Sequence, residues 1–346
     1  MRWRREAGPL PWLPAGGPRA LRALLGIVMT LVVAWTVLAI AYAPLPAAGL
    51  RVVAAIGVAL FATWAVWRSS RRWPVFVTAL AVMAWAWTWA GIEPSHDRDW
   101  RPEVAVMPRI EIVGDCVRLH GYRDFAWRSR EDFDVRYRER EIALSDITGL
   151  DFHVSYWREG PVAHTFVSFD VAGEDPVAVS IETRPERGEG FEPVASLFKR
   201  FELIYVVGDE RDLVQSRTNH RDEQLFLYRT GLSANAARNL FLVYARRINA
   251  LAAQPEFYHL LSNSCTLNIV RYANRIGREG RLDLRHVLNG WSDRYLYDNG
   301  VIDNRLPFAE LRARSRVNGA ARAAAGAADF PERIRAGLPV PEGRPR

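Results

Sequence analysis

The sequence predicts an α+β protein, with three N-terminal transmembrane helices followed by an extracytoplasmic domain in which strands precede helices. Three observations carry this. The first 91 residues hold three long apolar runs, residues 108–207 alternate in the short period of strands, and residues 233–277 turn to helical spacing. The chain has 346 residues, 49% of them hydrophobic and 25% charged, a balance that can bury a core.

The first apolar run, 23–43, carries no charge and matches the ~20 residues that a bilayer requires. Runs 52–67 and 74–91 are slightly shorter, yet too apolar over too great a length for surface helices. Arg2, Arg4, Arg5, Arg19 and Arg22 precede the first run, and Arg68, Arg71 and Arg72 separate the second from the third. Only Arg51 lies between the first and second. The positive-inside rule then puts a basic N-terminus, 1–22, in the cytoplasm and everything after about residue 92 outside. No small-residue cleavage pattern follows the first run, so 23–91 reads as three retained spans. Most of the 13 tryptophans lie before residue 90, with Trp85, Trp87 and Trp89 placed for the outer interface. The net charge of +7 is almost wholly arginine, Lys199 being the only lysine. No helix-turn-helix, zinc-finger or RNA-binding signature accompanies it, so nucleic acid is not an expected partner.

Residues 92–104 are polar, carry Pro94 and Pro102, and read as a linker to a domain over 105–312. RIEIVGDCVRLHGYRDF alternates around a Gly-Asp turn and predicts a hairpin; GLDFHVSYW (149–157) is a further strand. PVAHTFVSFDVAGEDPVAVSIETR (161–184) is the clearest hairpin, with AGEDP as its turn. Symmetric pairing sets Phe166 opposite Glu182, which makes Glu182 a diagonal neighbour of His164. RFELIYVV (200–207) is another strand, and Asp209, Glu210 and Arg211 after it read as a solvated, salt-bridged turn. Residues 233–254 then show helical spacing with Ser233 as N-cap. Residues 265–277 repeat the pattern, with a cap among Ser262, Asn263 and Ser264 and a stop at Gly277. The Ala-, Arg- and Pro-rich segment 313–346 reads as a flexible tail, with at most a short helix.

The chain has two cysteines, and Cys265 opens the last of these helices. A thiolate in a helix's first turn is stabilised by the unpaired N–H groups there, and the same groups can hold an oxyanion. Such a nucleophile needs a base and a group to orient it. His164 on the hairpin suits the first role and Glu182 the second, although His96, His120, His153, His220, His259 and His286 compete. Two other readings stay open: an inert cysteine, or a Cys116–Cys265 disulfide in an oxidising compartment. There is no HExxH or CxxC spacing, so no metal and no cofactor is expected.

Several stretches in order, AHTFVSF (163–169), SIETR (180–184), ELIYVVGDERD (202–212), QLFLYR (224–229), PEFYHLLSNSCT (255–266) and LNGWSDRYLYDNGVID (288–303), resemble the Lnb-type periplasmic domain family. The likeness spans about residues 105–306. It implies a circularly permuted papain-like fold in the periplasm, anchored in a bacterial inner membrane, with His164 as base and Cys265 as nucleophile. It also implies acyl transfer from a membrane phospholipid, through a thioester, to an amine such as a lipoprotein N-terminus. Ser264 stands where the family usually has Asn, and Asn263 lies one position earlier. Arg184, Arg217, Tyr228 and Arg229 are candidates for a phosphate head group, or for bracing pairs with Glu182, Asp209 and Glu210. Tyr258 is a candidate prop for the site. A cell-envelope thiol peptidase or amidase is the alternative, as is a non-catalytic, disulfide-bonded envelope module. An apolar groove at Cys265 would favour acyl transfer, and a polar open cleft would favour peptide.

Overall fold

Uncharged apolar runs satisfy every backbone group within themselves by coiling, and here they form α1 (Arg19–Ala41), α2 (Ala48–Trp67) and α3 (Trp73–Ala90). The computed structural model describes residues 10, 19–45, 47–277, 283–342 and 344. They form two units, 1–95 with 192–201, and 96–191 with 202–346.

In the first unit, Ala23–Ala41, Ala48–Trp67 and Trp73–Ala90 are each long and apolar enough to cross a membrane. Leu31, Leu60, Phe76 and Trp87 are exposed on them, the outward apolar surface that lipid would cover. Arg2, Arg4 and Arg5, which set the expected orientation, lie outside the described residues. Segment 192–201 belongs to this unit. Phe198 stacks on Tyr42 at 6.0 Å and meets Trp35 and Trp89. Lys199 donates to the carbonyls of Trp89 and Ile92, each at 2.9 Å, and so caps the C-terminal end of α3 with a cation.

The second unit is built on an eight-stranded sheet. Its strands are β1 (Arg109–Val113), β2 (Cys116–Arg123), β5 (Tyr137–Ala143), β6 (Ile147–Tyr156), β7 (His164–Val171), β8 (Glu174–Arg184), β9 (Glu202–Asp209) and β10 (Gln224–Arg229). The short β3 (Ala126–Trp127) and β4 (Phe133–Asp134) pair separately. The order is β1-β2-β9-β8-β7-β6-β10, with β5 also on β2. Among the described residues only β2 and β9 pair in parallel, meeting at Arg123 and Gly208. A Cβ on Gly208 would lie 2.5 Å from the Arg123 carbonyl, so glycine permits this crossing.

Helices cover both faces. On one lie α5 (Ala234–Ala253), capped by Ser233 as its spacing predicts, and α6 (Cys265–Arg275). Phe241 and Tyr244 of α5 pack edge-on against Phe169 of β7. The same face carries α7 (Ser292–Asp298), whose Asp293 accepts from Tyr228 of β10, and α8 (Phe308–Arg314), whose Arg312 covers the Phe226 ring. On the other face lie α4 (Glu210–Gln215), α9 (Asn318–Ala323) and α10 (Phe330–Arg335). These three join a core with Phe166, Ile204, Val206 and Leu225.

Four expectations change. The 161–184 hairpin pairs Phe166 with Ser180, two residues from symmetric register, because the turn tightens to Ala172–Gly173 and Phe169–Val171 is irregular. The shift is even, so each side chain keeps its face. Segment 313–346 is folded rather than flexible through α10. Val317, Ala321, Phe330 and Ile334 bury against the sheet, and Arg335 pairs with Glu210 at 2.5 Å and Asp151 at 2.8 Å. Glu210, expected in a solvated turn, is therefore fully buried. Finally, Cys116 is exposed and Cys265 buried, both as free thiols, so the disulfide-bonded module is not what forms.

Candidate active site

Cys265 is the first residue of α6, after Ser264 in extended conformation. The Ser264 side chain makes no cap hydrogen bond, so the first N–H groups of the helix are left for other partners. The thiol is 2% exposed. Burial pushes its pKa up, but a hydrogen bond from His164, the charge of that ring and the Thr165 N–H outweigh it and bring the value down to about 6.

His164 begins β7. Its Nε2 lies 2.7 Å from Ser180 Oγ on the neighbouring strand and 3.8 Å from Glu182 Oε1. Glu182 is thus the facing residue on β8 rather than a diagonal one, and Ser180 is the ring's closer partner. Glu182 Oε1 also accepts from Arg217 at 2.7 Å. Burial raises the Glu182 pKa, but Arg217, then His164 and Arg123, hold it well below the usual carboxylate range. Arg217 stands in a wide π-type turn after α4, donates to the Leu213 carbonyl at 2.7 Å and covers the Phe166 ring.

Two further groups close around the sulfur. Tyr258 is buried, and burial first and then Cys265 raise its phenol well above the usual value, so it stays protonated. Asn289, from the turn Asn289–Trp291, directs Nδ2 at Cys265 Sγ from 3.6 Å. These residues line a cleft of about 210 Å³. Its walls carry Arg101, Arg130, Arg217, Arg221, Glu103 and Glu223 beside Trp157, Phe191 and Leu260.

The structure therefore brings together Cys265, His164, Glu182, Arg217 and Tyr258. It places the other candidates elsewhere. Arg184 donates to the carbonyls of Val104 and Ala105 and stacks on Trp100. Arg229 pairs with Asp151 and Asp170, and Tyr228 donates to Asp293 at 2.8 Å. Asn263 donates to the Phe257 carbonyl and accepts from Asn268, bracing the loop before the helix. Those four serve the fold. Of the other histidines, His153 is fully buried against Ser168 and Glu210, with its ring stacked on Phe166.

Sequence reasoning passed over Ser180, Asn289 and Arg221. Ser180 shares a face with His164 by strand parity, a legible signal, whereas only the folded chain brings residue 289 to residue 265.

A buried thiol whose pKa is lowered by a strand histidine, itself held by a serine and a carboxylate, defines a cysteine–histidine cleft. It stands on an α+β unit that follows, along the chain, three helices that fit membrane embedding. Residues 133–295 match the family model described as the Lnb N-terminal periplasmic domain. No curated protein and no solved structure matches the chain.

Proposed function

We propose that this is a thiol enzyme of the cell envelope, anchored in the inner membrane with its main domain periplasmic, that carries an acyl group on Cys265. The single observation behind this is the Cys265 thiol, lowered to about 6 by His164 inside a cleft. His164 takes the thiol proton and leaves the thiolate. The thiolate attacks an ester carbonyl of a membrane phospholipid and a C–S bond forms. The first N–H groups of α6 stabilise the tetrahedral oxyanion. Collapse breaks the ester C–O bond, and His164 gives its proton to the departing alkoxide. An amine, such as a lipoprotein N-terminus, then attacks the thioester while His164 takes up the amine proton. The thiolate leaves, restoring the starting pair. Ser180, Glu182 and Arg217 fix the ring throughout. The circularly permuted papain-like arrangement belongs to this reading.

The charged cleft wall favours a second reading, a thiol peptidase or amidase. Intact-mass measurement of the membrane-extracted protein separates the two. An acyl adduct that hydroxylamine removes and Cys265→Ala abolishes is the expected result. A wild-type protein that cleaves peptides but never carries an acyl mass would overturn acyl transfer.

A further inference from the structure

The thiol-acyl reading leaves one buried side chain at the sulfur without a role. Asn289 is 4% exposed and aims an amide nitrogen at Cys265 Sγ from 3.6 Å. Which end of the amide faces the sulfur is settled by its other contact. Asn289 Oδ1 accepts from the Ala163 N–H at 2.8 Å. A backbone N–H can only donate, so the oxygen must face Ala163 and the NH₂ must face the cleft.

The backbone holds this placement from both sides. Gly290 donates to the Pro161 carbonyl at 3.0 Å, and its own carbonyl accepts from the buried Tyr156 hydroxyl at 2.5 Å. A Cβ at position 290 would sit 2.1 Å from the Gly160 carbonyl oxygen, so only glycine lets the turn approach so closely. The segment just before β7, which carries His164, is thus tied to the turn that carries Asn289. Base and amide are set by one piece of backbone.

We propose that Asn289 is a catalytic residue, the side-chain donor of the oxyanion hole, acting with the N–H groups at the start of α6. As the C–S bond forms, negative charge gathers on the former carbonyl oxygen beside the sulfur. A donor already fixed within reach of both stabilises that charge without reorganising. Asn289 is not required to make the thiolate, which follows from His164 and Thr165. The inference rests on the thiol-acyl reading, and its test separates the two.

The test compares two reactions of the Cys265 sulfur in the full chain in detergent, with Cys116→Ser throughout because that thiol is also free and exposed. Acylation by p-nitrophenyl butyrate passes through an oxyanion, whereas alkylation by iodoacetamide needs only the thiolate. Asn289→Ala removes the amide. Asn289→Asp keeps the acceptor for Ala163, which guards against a loop that no longer folds; its carboxylate also opposes the thiolate, which is why alkylation is read at pH 9. In both variants the p-nitrophenolate burst should slow by ~10²–10³, while alkylation at pH 9 stays within about twofold of wild type. Equal losses in both reactions would make Asn289 a prop for the thiol and overturn the proposal. So would an unchanged burst. A wild-type chain that is alkylated but gives no burst would sink the thiol-acyl reading itself, and the proposal with it.

Discussion

A buried thiol without a partner would resist ionisation, so the lowered pKa of Cys265 depends on His164. The thiolate fraction rises with pH through about 6, and iodoacetamide alkylation should be near its plateau by neutral pH. His164→Ala removes the first lowering influence and leaves the burial, so the midpoint should move to ~8.5 or above. A midpoint that stays put would detach the histidine from the thiol. Glu182 gives a prediction of opposite sense in acid. Its folded pKa is depressed, so the stability it contributes is present above its unfolded value of about 4.3 and is lost as pH falls below that. Urea midpoints measured from pH 6 to 3 should fall in wild type, and fall less steeply in Glu182→Gln. Parallel curves would show that this carboxylate is not what acid attacks.

The last helices matter at the level of elements. α10 delivers Arg335 to Glu210 and Asp151, whose carboxylates are fully buried. Removing the arginine leaves two interior carboxylates short of a cation, a change that costs about 3–5 kcal/mol. Arg335→Ala should therefore lower the urea midpoint sharply, and an unchanged midpoint would mean that residues 313–346 are dispensable to the fold. Much of the element order was legible. The hairpin over 109–123, the β6 strand and both α5 and α6 follow from alternation, spacing and the Ser233 cap. The tail was not, because its alanines and arginines look like a solvated segment until the sheet supplies carboxylates and an apolar face. The β7–β8 register escaped for a related reason. Alternation fixes which residues share a face, whereas turn geometry fixes which residue stands opposite which.

The whole molecule joins three membrane-length helices to an α+β domain, and the proposed orientation can be tested through Cys116, which is exposed. In a Cys265→Ala background, a membrane-impermeant maleimide should label Cys116 in spheroplasts before lysis. Labelling only after lysis would place the domain in the cytoplasm and remove the envelope reading.

The sequence by itself determined three helices long and apolar enough to cross a membrane, the α+β class, the resemblance to a periplasmic family, and Cys265 with His164 as the candidate pair. Each is written in local composition, spacing or contiguous stretches. The tertiary structure alone decided that Ser180 lies closer to His164 than Glu182, that Arg217 but not Arg184 or Arg229 reaches the cleft, and that Asn289 faces the sulfur. Those outcomes depend on strand register and on loops brought together from distant positions, and one-dimensional periodicity carries no information about either.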